Sequence, residues 1–241
     1  MLAIIGGSGL AGLTDLSDTR RRVVRTPYGD PSCALTFGRI GSTDIAFLAR
    51  HGYGHTLAPH EINYRANIWA LREVGVERII AVATVGGIRE DLGPGSDHPR
   101  PDHRLHPRAP ATYFEGIDAA VVHADFTEPY DAGCAGCCWK RQGVPASPRR
   151  VLRLHSGPAP RNRRRGSAGW LCDGCDLVGM TGMPEVAAGA RACLRYACIA
   201  VVANHAAGLG SSREQISMEA IRAVLDTAIG RVHGISSAVR C

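Results

Sequence analysis

Apolar residues gather in a few short runs, and each run that reads as a strand stops at glycine or a polar cluster. Leu2-Ala3-Ile4-Ile5 is a short apolar strand that enters Gly6-Gly7-Ser8-Gly9-Leu10 directly. Arg22–Thr26 and Cys33–Phe37 read as short strands around the turn Pro27-Tyr28-Gly29-Asp30-Pro31, and Asp44–Leu48 reads as another, ending at Ala49-Arg50-His51-Gly52. Asn63–Val74 is helical by pattern, with a mixed face of Ile62, Ala66, Trp69, Ala70 and Glu73, and it stops at Gly75. Arg78–Thr84 is a β-branched, nearly continuous apolar run that suits a buried central strand. It leads into Val85-Gly86-Gly87-Ile88, a second glycine-rich loop at a strand end.

Composition narrows the class. A chain of 241 residues, 45% hydrophobic, is long enough for one substantial core, so a single α/β domain is expected. It has no run of about 18 apolar residues and no charged-then-apolar leader, which points away from a membrane span or secretory signal and to the cytoplasm. Nine scattered cysteines argue for reduced thiols rather than a disulfide scaffold. The net charge of +6 raises nucleic acid as a partner, but the arginines crowd one region, Arg161 to Arg165, and no nucleic-acid role is expected.

The glycine loop after the first strand is a candidate anion cradle. Its glycines permit positive φ and let consecutive N–H groups approach an oxyanion, while Ser8 adds a hydroxyl donor. The loop lacks the Lys-Ser/Thr ending of a P-loop and the full register of a dinucleotide fingerprint, so a simple strand-ending turn remains open. Arg50 and His51 follow a strand's carboxyl end, where open α/β sheets place ligands, and Arg suits bidentate oxyanion binding. A solvated loop Arg beside a surface His is the plainer alternative.

Six stretches taken together, IIGGSGL, LARHGYGH with INYRANIWAL, ATVGGIREDLGPG, VVHADFTEPYD, CDLVGMTGMPE and YACIAVVAN, resemble the trimeric purine nucleoside phosphorylases, in particular their methylthioadenosine and methylthioinosine branch. The resemblance implies a single α/β domain with a mixed, partly barrel-like sheet flanked by helices, assembled as a homotrimer. It implies phosphorolysis of a purine nucleoside, with inorganic phosphate as co-substrate and no metal or other cofactor. It assigns Ser8, Arg50, His51, Thr84 and Thr181 to phosphate, Met180 to the ribose, and His123 to a neighbouring subunit's site near the sugar.

That chemistry sets phosphate against a sugar with oxocarbenium character as the purine departs. Hydroxyls, backbone N–H groups and one Arg orient the anion without fully neutralising it. Asn204, at the end of the strand Tyr196–Ala203, falls where the family stabilises the leaving base. Asparagine there goes with 6-oxopurines, because its amide donates to the oxo group, whereas aspartate goes with 6-aminopurines. Met218 falls where ordinary nucleoside phosphorylases carry a His against the 5′-hydroxyl, and a thioether suits a methylthio group. The combined reading is 5′-methylthioinosine. A methylthioadenosine or general purine nucleoside phosphorylase is the neighbouring reading, and an impaired scaffold that binds planar aromatic ligands is the alternative from another class.

Three regions depart from the family: residues near 97–110, 133–171 and 187–194. Permissible codons for Asp97–Pro110, read two bases later, give IIPDQIIDYTHGR, which resembles the family's missing strand. His155–Arg165 shifted by one base gives TQGPRLETAA, resembling the purine-clamping loop. Compensated frameshifts account for both. Cys134, Cys137, Cys172 and Cys175 are spaced like zinc knuckles, but the first pair lies in a shifted stretch, so no zinc site is expected, and the run Asp97, His98, Asp102, His103 and His106 reads as an accident of frame rather than metal ligands. Sequencing the gene is expected to show codons compatible with all the shifted readings; incompatible codons would remove the frameshift account.

Overall fold

The computed structural model describes residues 1–7, 10, 16–94, 97–99, 101–104, 112–113, 125–135, 150–154, 175–212 and 219–227. Among these, ten strands form one mixed sheet in the order β2-β3-β4-β1-β5-β9-β8-β7, with β10 paired to β5 and β6. They are β1 (Leu2–Gly6), β2 (Ser17–Arg22), β3 (Leu35–Ile40), β4 (Thr43–Ala49), β5 (Arg78–Gly87), β6 (Asp97–Pro99), β7 (Pro101–Arg104), β8 (Arg150–Leu154), β9 (Leu177–Gly179) and β10 (Arg195–His205). The helices include α1 (Tyr64–Glu73) and α2 (Gly182–Arg191), and residues 132–135 and 219–227 are also helical.

The middle of the sheet is parallel. β1 runs parallel to both β4 and β5, and β10 runs parallel to β5 over its length, so the ends Gly6, Ala49, Gly87 and His205 lie along one edge. Period-two alternation divides these strands between two cores. Ala3, Ile5, Ala81 and Ala83 face one cluster with Ile68 and Leu71 of α1 and Val186 of α2, while Leu2, Ile4, Ile80 and Val82 face another with Leu225. Both faces are covered, which is why the central strands read as unbroken apolar runs. Each fully buried Leu, Ile or Val among them contributes roughly 1.5–3 kcal/mol on burial.

The sheet also curls. β6 pairs with β10 and β7 pairs with β8, yet one position separates β6 from β7 in the chain. The path through β5, β9, β8 and β7 therefore returns through β6 and β10 to β5, the partly barrel-like form expected. Residues 97–104, expected to lack a strand, carry these two short ones; their prolines lie at strand ends and edges, where a missing N–H removes no ladder bond. Residues 187–194 finish α2 and turn into β10, with Ala187, Ala188, Ala192 and Leu194 buried.

Other boundaries differ from the sequence reading. The strand expected at Arg22–Thr26 lies earlier, at β2, whose six residues are all exposed and which is held by backbone pairing to β3. Asn63 caps α1 by accepting from Ala66 N at 3.0 Å, and its Nδ2 donates to Tyr28 O at 2.7 Å, tying the helix start to the Tyr28 turn. Val85-Gly86-Gly87 is no loop: β5 continues through it, pairing with β9 and β10. Its glycines serve close approach, since a Cβ on Gly87 would lie 1.9 Å from the Leu92 carbonyl oxygen. Gly87→Ala is therefore expected to cost about 2 kcal/mol or more, lowering Tm by about 4–8 °C; thermal melts check this, and an unchanged Tm refutes the contact.

Candidate functional site

The carboxyl edge of the parallel strands collects most of the predicted site residues that the structure describes. Gly6 and Gly7 end β1, Arg50 and His51 follow β4, Thr84 lies in β5, and Asn204 ends β10. The antiparallel register Gly86↔Val178 and Gly87↔Leu177 carries β9 back along β5, which directs Met180 and Thr181 towards Thr84. Ser8, His123 and Met218 lie outside the described residues.

The glycine loop owes its sequence to crowding rather than to dihedral freedom. Neither Gly6 nor Gly7 has positive φ. A Cβ on Gly6 would lie 2.1 Å from the Leu10 carbonyl oxygen, and one on Gly7 would lie 2.5 Å from the Val82 carbonyl oxygen and 2.8 Å from Nη1 of Arg50. The chain turns at once, with Leu10 N donating to Gly7 O at 3.0 Å, and Arg50 N donates to Gly6 O at 3.0 Å. Gly6 and Gly7 thus rest on the arginine that follows β4.

Arg50 is 1% exposed and already paired. Its Nε and Nη2 donate to the two carboxylate oxygens of Glu185 at 2.5 and 2.9 Å, and Nη1 donates to Val82 O at 2.7 Å. Glu185 is 0% exposed and accepts a further bond from the Tyr196 hydroxyl at 2.7 Å. Burial opposes the guanidinium's charge, but the carboxylate beside it outweighs that and holds Arg50 above the ordinary arginine range. Burial, then the Glu185 charge, pushes the Tyr196 phenol well up, so it stays a donor. Removing one member of a buried, hydrogen-bonded ion pair typically costs about 3–5 kcal/mol.

The remaining residues are more open or differently engaged. Met180 is 41% exposed, an apolar side chain at the edge of the site. Thr84 is half-buried in a strand whose neighbours are buried. Thr181 stands at the N-cap of α2 but makes no side-chain capping bond, which leaves its hydroxyl uncommitted to the helix. Nδ2 of Asn204 donates to the carbonyl of its neighbour His205, so the amide expected to read the base is turned onto the backbone. His205 itself packs under Gly210 and meets Ser211 Oγ at 3.0 Å through Nδ1.

Glu185 and Tyr196 escaped the sequence reading as functional residues, although both lie within motifs that carried the resemblance. An acidic residue in the first turn of a helix reads as a partner of the helix dipole facing water. The available signal was its setting: Glu185 precedes Val186, Ala187 and Ala188, on a stripe with little polar surface. Of the cysteines that looked like zinc knuckles, Cys134 and Cys175 lie in separate apolar clusters, while Cys137 and Cys172 lie outside the described residues. Among the described residues no group of three or more His, Cys, Asp and Glu converges.

Comparison with known proteins gives these motifs relatives. A profile of the phosphorylase superfamily matches residues 1–239. A probable S-methyl-5′-thioinosine phosphorylase of Pseudomonas syringae pv. tomato is 38% identical over 254 residues, covering 95% of this chain and 94% of the relative. A 6-oxopurine nucleoside phosphorylase of Pyrococcus furiosus is 38% identical, covering 88% of this chain and 82% of its own. A methylthioadenosine phosphorylase of Schistosoma mansoni, solved with adenine, superposes with a TM-score of 0.88 at 27% identity over 98% of this chain and 89% of that one.

The imidazole of His51 makes the site sensitive to pH. A carbonyl only accepts, so Nδ1 of His51 bears the proton in its 2.8 Å contact with Leu57 O, and Nε2 is the bare acceptor of the neutral ring. Burial, and the charges of Arg50 and His55, hold its pKa below the ordinary value. The unfolded chain then binds the proton more readily, so this contribution to stability is intact above about pH 6.5 and is lost as pH falls towards the folded value. Melts from pH 8 to pH 5 are expected to show a steeper acid loss of Tm in the wild type than in His51→Gln; parallel curves would refute it.

Proposed function

This chain belongs to the phosphorylase superfamily, and from that membership and the geometry at the sheet's carboxyl edge we propose that it cleaves a purine methylthionucleoside with inorganic phosphate. One observation carries the reading. Gly7, Arg50, His51, Thr84 and Thr181 converge on one edge, and Asn204 ends the strand beside them. Two hydroxyls and one paired arginine suit a free anion, and the Asn204 amide is assigned to the departing base.

In the reaction a phosphate oxygen attacks the anomeric carbon. The glycosidic C–N bond breaks, and its electron pair passes to the purine. Thr84 and Thr181 orient the phosphate through their hydroxyls, with Ser8 assigned to the same task. His51, neutral with Nε2 bare, receives a proton borne by the phosphate rather than donating one. Because the charge of Arg50 is balanced by Glu185, the anion keeps its own charge for the oxocarbenium-like sugar. Asn204, turned away from His205 O, donates to the 6-oxo oxygen through Nδ2, and once the departing base takes a proton from solvent at its imidazole nitrogen, Oδ1 accepts from that N–H.

The substrate within that class is 5′-methylthioinosine. Asn204 selects the oxo group, and the thioethers of Met180 and Met218 suit the sugar and its methylthio end. Two relatives named for 6-oxo substrates support this choice, the thioinosine phosphorylase and the 6-oxopurine nucleoside phosphorylase. A homotrimer in which His123 reaches a neighbouring site, working in the cytoplasm with phosphate as the only co-substrate, completes the proposal. Release of free base is to be followed in phosphate buffer with methylthioinosine, methylthioadenosine and inosine. The expected order of kcat/KM places methylthioinosine at least about tenfold ahead, a transition-state difference of about 1.4 kcal/mol. Equal or better cleavage of either competitor would overturn the assignment, and binding of planar dyes without turnover would favour a ligand-binding scaffold.

A further inference from the structure

Nothing in the phosphorolysis chemistry calls for a buried carboxylate on the far side of the phosphate arginine, yet Glu185 occupies that place with both oxygens engaged. It enters from the first turn of α2, directly after Thr181, and it grips Arg50 side-on through Nε and Nη2. The Tyr196 hydroxyl from β10 closes the other side of Oε2. Nη1 is pinned to Val82 O, and the close approach of Gly7 sets the glycine loop against the same nitrogen. A guanidinium has five N–H bonds, and these contacts leave one each on Nη1, which Gly7 approaches, and Nη2.

We infer that Glu185 is a positioning residue of the phosphate site: it fixes Arg50 beneath the Gly7 loop and cancels its charge, so that phosphate meets an oriented but neutral pair. The inference rests on the phosphorolysis reading for its meaning, because only a nucleophilic anion gains from keeping its charge. A bare buried cation would hold phosphate more tightly as a ground-state ligand and weaken it as a nucleophile. The carboxylate therefore trades affinity for reactivity, and it acts through Arg50 without touching the anion.

Glu185→Gln tests the charge. The amide keeps an oxygen to accept from Arg50 but leaves the guanidinium uncancelled. Titration of wild type and variant with phosphate, and with non-reacting sulfate, is paired with phosphorolysis kinetics. The expected result is a split: phosphate and sulfate Kd at least threefold tighter, with kcat at least tenfold lower. Kd and kcat both within twofold of wild type, or a Kd that weakens, would overturn the inference and leave an ordinary core ion pair. Should the variant fail to fold, Tyr196→Phe keeps both charges and removes one bond to Glu185; a kcat/KM for phosphate at least threefold lower at unchanged nucleoside KM supports the inference, and an unchanged value overturns it. A wild type that binds phosphate but cleaves no nucleoside would sink the phosphorolysis reading alone, with the Kd comparison still deciding the role of Glu185. A wild type that binds neither anion would overturn the role given to Glu185.

Discussion

The buried pair of Arg50 and Glu185 is the contact on which the carboxyl edge depends. It joins parts of the chain that are distant in sequence: the end of β4, the start of α2, Tyr196 of β10, Val82 of β5 and the loop after β1. Two charges taken out of water are tolerated only when geometry is good and spare donors and acceptors are satisfied. The pairing is bidentate and each partner makes a further hydrogen bond, which leaves only one N–H each on Nη1 and Nη2 outside these contacts. A shift of any one element would strand a charge in an apolar interior, so the pair enforces the relative placement of all of them.

Close backbone approach is the second constraint, and the glycines express it. Gly6, Gly7 and Gly87 sit where a methyl group would overlap a carbonyl oxygen. Parallel strands that converge on one edge leave little room for the turns at their ends. Removing the Cβ at these positions lets the turns fold back onto the strand ends, and the site is built from those turns. The same crowding explains why Gly7 lies directly against the arginine rather than one side-chain layer above it.

The central fold was open to reading because its strands are buried on both faces. β1, β4, β5 and α1 announced themselves as apolar runs or as a capped periodic helix. β2 did not, because Arg20, Arg21 and Arg22 are exposed and only the ladder to β3 makes them a strand. Gly86 and Gly87 looked like a loop because glycine has the same letter whether it is needed for a turn or for contact. Thr84 and Thr181 were assigned by resemblance, and the place of Arg50 and His51 at a strand end was legible. The partner that governs Arg50 was not, since a carboxylate in a first helical turn gives no sign from sequence that it faces inward.

On the proposed reading, Asn204 sets specificity before a substrate arrives. Its Nδ2 is engaged by the His205 carbonyl, so reading a base requires that this bond be broken. A single neutral hydrogen bond is worth about 0.5–1.5 kcal/mol net. A base that offers an acceptor at the 6-position repays the loss and gains the imidazole contact besides. A base that presents an amino group there offers Nδ2 only another donor, and the amide has no reason to leave the backbone. On the proposed reading the internal bond is a cost that only a base with a 6-acceptor repays, while the neutral arginine pair at the other end keeps the anion ready to react. On the proposed reading, both ends of the site hold their polar groups in reserve inside the protein, and the correct pair of reactants is what draws them out.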